Sequence, residues 1–199
     1  MPKLNLARSS LLVVDCQEAF SELRPKELPV KGALKIVPKI NRLLKLDWKR
    51  IDATQDWHPP DHASFLGQRD NVYPPHAVMD TPGANFLPGL DTHRFQAIWR
   101  KGFQRHRDAY DVVSQHPEFI HLLQASGVKT VVICGLTTNI CCYYNALALR
   151  RGNFAVWIVE DASAGIDIPT LGLYQAQAKQ EAQSRGVKYV KTAEVVRGP

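Results

Sequence analysis

Short apolar runs recur along the chain, and each ends at a charged residue or a glycine. Residues 11–14, 130–134 and 155–159 are rich in Val, Leu and Ile and show no alternation of apolar and polar positions. Such runs are typical of strands buried on both faces, as in a parallel sheet covered by helices. We predict two further strands, less apolar, at residues 50–55 and 95–100.

Four stretches between these runs favour helices: residues 33–48, 118–125, 139–151 and 170–185. In the first, apolar residues recur every three or four positions, as on one face of a helix. Gly127, Gly152 and Gly186 follow the other three, where helices commonly end in a left-handed residue. The alternation of strands and helices predicts a three-layer, doubly wound α/β fold, in which helices flank a mainly parallel central sheet.

The composition of the chain mainly excludes certain classes of protein. The 199 residues suit one domain, which we place over residues 1–199. Charged residues make up 22% and hydrophobic residues 45%, which is far from the disordered class. The net charge is +6, but no nucleic-acid motif accompanies the densest basic run, residues 94–107. We therefore expect a small-molecule partner and no nucleic acid.

The cysteines and the N-terminus point to an intracellular setting. Cys16, Cys134, Cys141 and Cys142 form neither a disulfide framework nor a paired metal-ligand spacing. Residues 1–10 lack the apolar segment of a secretory leader, and no apolar run approaches the ~18 residues that a membrane span needs. We expect a cytoplasmic protein without membrane contact.

Polar residues follow the predicted strands, where ligands bind in folds of this class. Asp15, Asp56, Lys101 and the loop at residues 135–141 all come at strand ends, so we expect them to gather at one rim of the sheet. The stretch at residues 59–90 is rich in proline and weakly periodic. An irregular segment of this length is unusual in a compact domain unless it builds a site.

The pattern around Asp56 predicts a metal site. Asp56 and His58 lie two positions apart at the exit of a strand, so an extended backbone points both side chains the same way, and His62 and His76 follow. One carboxylate with one or two imidazoles suits Zn²⁺, Fe²⁺ or Mn²⁺ and leaves positions open for water or substrate. Taken alone, the Asp56 and His58 pair does not decide for a metal site, because such a spacing also occurs in pairs that only cap a turn.

Cys141 is a candidate nucleophile. It falls one turn into the predicted helix 139–151, where the helix dipole lowers the pKa of a thiol and free backbone N–H groups can hold an oxyanion. Simple burial is the alternative for Cys141, as a strand-end cap is for Asp15 and a solvated flank is for Lys101.

Five segments occur together in the order and spacing of a known family: residues 15–20, 53–65, 73–76, 101–102 and 135–141. Through them the chain resembles the isochorismatase-like cysteine hydrolases over residues 11–190, and its metal-ligand segment resembles the nicotinamidase/pyrazinamidase branch in particular. The resemblance implies a hydrolase that converts nicotinamide to nicotinate and ammonia in NAD salvage, and pyrazinamide to pyrazinoate as well.

The resemblance implies a catalytic triad of Asp15, Lys101 and Cys141. Asp15 is then the base, Lys101 its charge partner, and Cys141 the nucleophile that forms a thioester with the acyl group. The backbone N–H groups of Thr137 and Cys141 would hold the oxyanion, beside a cis peptide bond between Leu136 and Thr137.

The resemblance also implies one divalent metal ion per chain, Zn, Fe or Mn. Asp56, His58 and His76 would bind it, with waters completing the shell. The ring nitrogen of the substrate would replace one of these waters. A homo-oligomer is left open.

The pocket residues follow from the same resemblance. Phe20 and Tyr73 would wall the aromatic ring, His62 would line the pocket or support the metal ligands instead of binding the ion, and Ser64 would contact a metal-bound water. The chain departs from the family at residues 110–113, Tyr-Asp-Val-Val, where many nicotinamidases carry Tyr-Ser-Ala-Phe. Tyr73 stands where Trp is frequent.

Two other interpretations stay open at this point. One is a different isochorismatase-like amidase, or a vinyl-ether hydrolase, with another small substrate. The other is a non-catalytic domain that binds a metal or a partner, because a fold does not secure a function. The presence of a thiol nucleophile together with an Asp-x-His pair and a third histidine favours the nicotinamidase.

Overall fold

A computed structural model of the chain describes residues 4–197, so the ends of the predicted domain, residues 1–3 and 198–199, lie outside the described residues. A six-stranded sheet forms its centre. The strands are β1 (Ser9–Val14), β2 (Arg50–Asp56), β3 (Ala97–Lys101), β4 (Thr130–Leu136), β5 (Ala155–Ala164) and β6 (Lys188–Val190). They follow the order β3-β2-β1-β4-β5-β6, and all neighbours are parallel.

Helices cover both faces of this sheet. They are α1 (Ala33–Leu44), α2 (Glu118–Ala125), α3 (Cys141–Arg151), α4 (Gln175–Ser184) and α5 (Thr192–Val196). One apolar cluster joins α1 and α5 to Leu11 and Val13 of β1, while the other joins α2, α3 and α4 to Leu12 and Val14. Since successive residues of a strand point to opposite faces, the unbroken apolar run serves both layers. The three-layer, doubly wound α/β fold is confirmed.

Two elements escaped prediction because they are short. β6 has three residues and α5 has five, too few to show a period. The helix predicted at 170–185 starts only at Gln175, because Gly172 is left-handed and Tyr174 is extended. The helix predicted at 33–48 ends at Leu44.

The predicted glycine caps are right in two of three cases. Gly127 and Gly186 have φ angles of 75° and 81°, as expected of left-handed residues after a helix. Gly152 has a φ of −77°, so the prediction for it is wrong. The left-handed residue there is Asn153, with φ 63°. Asparagine is the residue that most often replaces glycine in this role.

The strand order places a crevice where ligands bind in doubly wound folds. The direction of winding reverses between the neighbours β1 and β4, and the carboxyl ends of both strands border the crevice. The two strands lie so close there that a Cβ on Gly135 would collide with the backbone of Val14, and Gly135 also has a φ of 120°. Only glycine fits this position.

No helix within residues 4–197 has the length and apolar character needed to cross a lipid bilayer. The expected cytoplasmic location stays a prediction.

Candidate active site

The Lys101 ammonium is the centre of the site. Lys101 ends β3 in register with Asp56 at the end of β2, and its side chain is fully buried. Its Nζ atom lies 2.9 Å from Asp15 Oδ2, 2.5 Å from Asp56 Oδ1 and 3.5 Å from Cys141 Sγ. A buried cation next to two carboxylates satisfies the rule that buried charges are paired. One lysine therefore joins the predicted triad to the predicted metal ligands, a link that the sequence did not reveal.

Asp15 is poised to accept a proton. Its Oδ1 atom accepts a hydrogen bond from Thr54 Oγ1 at 2.6 Å, whereas Oδ2 contacts Lys101 as an ion pair without hydrogen-bond geometry. Burial raises the pKa of Asp15, and the Lys101 charge opposes this. Because the carboxylate form is costly to bury, Asp15 is a stronger base than an exposed aspartate.

Cys141 differs from its predicted state in two respects. It is the first residue of α3 and does not lie one turn inside the helix. The expected lowering of its pKa is wrong, because burial raises the pKa of the thiol well above 9.0; Lys101 opposes this, and Asp15 raises it further. The thiol is therefore protonated at rest and needs a base. Asp15 is available, since one carboxylate oxygen of Asp15 lies within 4.8 Å of the sulfur.

Access still distinguishes Cys141 from the other thiols. Cys141 is 6% exposed and lines the pocket, whereas the other three cysteines are fully buried. We expect iodoacetamide to modify Cys141 before Cys16, Cys134 or Cys142, as measured by mass-spectrometric mapping of the first adduct. A first adduct on any of these three would contradict the prediction.

The side chain of Gln17 hydrogen-bonds both the N–H and the carbonyl group of Asp56. Gln17 Nε2 donates to the Asp56 carbonyl and Gln17 Oε1 accepts from the Asp56 N–H, each at 2.8 Å. The sequence analysis missed this residue, although its place two positions after Asp15 was a usable signal. Burial raises the pKa of Asp56, but Lys101 and then His58 outweigh it, so the net shift is downward. Asp56 is thus an ionised carboxylate held in a fixed orientation.

Asp56, His58 and His76 form a group that can hold a metal ion. Each offers one ligand atom, and these atoms lie within 4.8 Å of one another. His58 Nδ1 hydrogen-bonds the carbonyl of Gly102 at 2.9 Å, and His76 Nδ1 hydrogen-bonds that of Pro74 at 2.8 Å. A carbonyl only accepts, so each Nδ1 carries a proton, and Nε2 of each ring is the atom left to bind an ion.

The protonation of these histidines also suits a cation. Burial, followed by the nearby His58, lowers the pKa of His76 to about 3, so His76 is neutral at pH 7. Burial lowers the pKa of His58, but the nearby Asp56 carboxylate outweighs this and raises it. A divalent ion would displace the proton of His58, which is ordinary behaviour for a metal ligand.

His62 and Ser64 contact each other at 2.8 Å between Nδ1 and Oγ. The centroid of the His62 ring lies 4.4 Å from that of the His58 ring. Neither His62 nor Ser64 lines the pocket. A second group of possible ligands, His58, His62 and Asp108, shares His58 with the first. One imidazole nitrogen binds one ion, so the two groups are alternatives. The group with Asp56 and His76 is the more buried one.

A pocket opens beside these groups. Of the predicted wall residues, Phe20 and Tyr73 both line it. The Tyr73 hydroxyl lies 3.4 Å from that of Tyr110, the first residue of the atypical 110–113 segment. Six further lining residues were not predicted: Leu28, Asp108, Tyr110, Ile140, Ile166 and Ile168. The isoleucines sit in irregular segments or at helix ends, where apolar periodicity gives no signal.

Next to Cys141, the backbone carries the groups predicted to face an oxyanion. The Leu136–Thr137 peptide bond is cis, and Thr137 lines the pocket with Cys141. As the first helical residue, Cys141 has an N–H group that no carbonyl inside α3 can accept. In the 110–113 segment, Val112 is fully buried in the apolar cluster that also contains residues of α2 and α3.

Comparison with known proteins agrees with this geometry. The model of the isochorismatase domain family matches residues 9–194. A nicotinamidase of Acinetobacter baylyi is 31% identical, covering 94% of both chains. Among solved structures, a pyrazinamidase of Pyrococcus horikoshii in complex with zinc is 34% identical, with a TM-score of 0.79 over 92% of this chain and 99% of that one.

A structure from L. infantum in complex with nicotinate is 29% identical, has a TM-score of 0.87 and covers 96% of both chains. The family match spans nearly the whole chain, and the likeness to nicotinamidases extends over both sequence and fold. The chain therefore belongs to the isochorismatase family, in its nicotinamidase/pyrazinamidase branch.

Proposed function

We propose that the protein is an amidohydrolase that converts nicotinamide to nicotinate and ammonia, and that it also hydrolyses pyrazinamide. One observation carries the proposal: the Lys101 ammonium contacts both Asp15 and Asp56 and lies 3.5 Å from Cys141 Sγ. A nucleophile with its base and a set of metal ligands thus meet at one pocket. Nicotinamidases among the relatives support the same substrate.

In the proposed reaction, Asp15 takes the proton of the Cys141 thiol, and the sulfur attacks the carboxamide carbon. The backbone N–H groups of Thr137 and Cys141 hold the oxyanion. Asp15 then gives its proton to the leaving nitrogen, which departs as ammonia and leaves a thioester on Cys141. Asp15 removes a proton from water, the resulting hydroxide attacks the thioester, and Asp15 returns the proton to the sulfur as the acid leaves.

Lys101 would support these steps electrostatically. Its charge stabilises the carboxylate of Asp15 between proton transfers and the thiolate of Cys141 while it forms. Burial alone would lower the pKa of Lys101, but the charges of Asp15 and Asp56 outweigh it and raise the pKa, so Lys101 stays charged through the proposed cycle.

For the metal, we propose that Asp56, His58 and His76 hold a single Zn, Fe or Mn ion. When bound, this ion would supply an electrophilic anchor for the ring nitrogen of the substrate. Phe20 and Tyr73 would pack against the ring, since both line the pocket and lie 5.6 Å from His76 between ring centroids.

An ammonia-release assay with nicotinamide and pyrazinamide tests this function. We expect turnover of both amides, a loss of turnover after treatment with a chelator, and recovery on adding Zn²⁺, Fe²⁺ or Mn²⁺. Absence of ammonia release from the metal-supplemented protein would refute the proposal.

Gly102 offers a test of the proposed metal site. A Cβ at this position would lie 2.6 Å from His58 Nδ1, and the φ of 71° is strained for any residue with a side chain. We expect Gly102→Ala to push His58 out of place and to weaken zinc binding about tenfold or more, as chelator competition would measure.

Gly127 supplies the control for Gly102→Ala. Its φ is 75°, almost the same, but a Cβ there meets nothing within 4 Å. Gly127→Ala should therefore carry the same backbone strain and leave zinc affinity unchanged. Equal affinities in the two variants would mean that Gly102 does not confine His58.

A further inference from the structure

The strand that carries Lys101 lies at the edge of the sheet. Within residues 4–197, β3 has β2 on one side and no strand on the other, so some of its backbone groups lack a partner strand. Two side chains from the turn before α2 contact these backbone groups instead. Gln115 Oε1 accepts from the N–H of Gly102, and His116 Nε2 contacts the carbonyl of Arg100, each at 2.7 Å. These contacts flank Lys101 on both sides.

The residue Gly102 in turn sets the position of His58. Its carbonyl hydrogen-bonds His58 Nδ1 at 2.9 Å, and its Cα approaches the imidazole so closely that no side chain fits between them. A shift of the Gly102 backbone would therefore move the ring or break its hydrogen bond. Gln115, Gly102 and His58 form a chain of contacts that ends at a proposed metal ligand.

Only the oxygen of the Gln115 side-chain amide contacts Gly102. The Gly102 N–H is a donor, so the oxygen of Gln115 must face it, and the orientation of the amide is fixed by chemistry. Among the described residues, Gln115 Nε2 is a buried donor without a hydrogen-bond partner. The acceptor oxygen is thus the part of Gln115 that the site uses, and a glutamate would supply the same oxygen.

We propose that Gln115 is a positioning residue for His58: it holds the backbone of Gly102 in the place from which His58 presents Nε2 to the metal ion. The inference rests on the proposed metal site. Gln115 does not line the pocket, so it acts through Gly102 and His58 and not on the substrate.

Zinc binding to the metal-stripped protein tests this role without any use of turnover. Wild type, Gln115→Leu and Gln115→Glu are titrated with Zn²⁺ against a chromophoric chelator, and the melting temperature of each stripped protein is recorded. We expect Gln115→Leu to bind zinc about tenfold more weakly, and Gln115→Glu to bind it nearly as wild type does. Gln96→Leu is the control, since Gln96 contacts the backbone at the opposite end of β2.

A purely structural role predicts a different result, in which Gln115→Leu melts at a lower temperature but binds zinc as wild type does. That result would overturn the inference, as would equal losses of affinity in the Leu and Glu variants. If Gln115→Leu does not fold, Gln115→Asn replaces it, because its shorter side chain cannot reach Gly102. If the wild type does not bind zinc, the proposed metal site and this inference are both overturned. If the wild type binds zinc and Gln115→Leu binds it equally well, only the inference is overturned.

Discussion

Replacement of Cys141 by alanine is expected to abolish hydrolysis of nicotinamide, with a fall in kcat on the order of 10³-fold or more, while substrate binding stays largely intact. In the proposed mechanism the thiol forms the bond to the substrate, and alanine has no nucleophile to replace it. The proposed metal ligands and the walls formed by Phe20 and Tyr73 are unchanged in this variant. Steady-state kinetics and calorimetric titration of the variant with nicotinamide would measure the two effects separately.

Cys142→Ala is the matched control. Cys142 is adjacent in sequence but fully buried in the apolar cluster with α2, and it does not line the pocket. Its replacement should lower the melting temperature slightly through lost packing and leave kcat near the wild-type value. Turnover by Cys141→Ala above a few per cent of wild type would remove Cys141 from the role of nucleophile.

The fold was largely predictable because its strands are buried on both faces. Residues 11–14 and 130–134 are apolar without alternation, which occurs in few settings other than a covered parallel sheet. The short elements β6 and α5 were not predictable, since three and five residues carry no period. Asn153 took the left-handed position in place of Gly152 because both residues tolerate it, and the sequence cannot choose between neighbours.

The sequence predicted which side chains of the site lie near one another, but not how they contact each other. Asp15, Asp56 and Lys101 end parallel strands, so strand alignment alone places them at one rim. The contact of Lys101 with both carboxylates depends on the register between β2 and β3, and no local sequence pattern encodes this register. The pKa of Cys141 was predicted in the wrong direction because the helix N-terminus is visible in the sequence, whereas the burial that outweighs it is a property of the folded chain.

Loss of a proposed metal ligand is expected to raise KM for nicotinamide by more than about tenfold and to change the poor turnover of benzamide rather little. Benzamide lacks the ring nitrogen, so it gains nothing from the ion. His76→Ala and His58→Ala are the variants that test this prediction. Asp56→Ala is unsuitable, because Asp56 also forms an ion pair with Lys101 at 2.5 Å. Its loss would disturb the triad and depress turnover of both amides.

A metal that generates a hydroxide nucleophile predicts another pattern. Both amides would then need the same activated water, and His76→Ala would reduce kcat/KM for nicotinamide and benzamide in equal proportion. His76 is the sharper of the two positions, since its Nδ1 hydrogen bond to Pro74 lies away from the triad, whereas His58 also contacts Asp56. Equal proportional losses in a His76→Ala protein shown to be folded would overturn substrate anchoring and indicate metal-activated water instead.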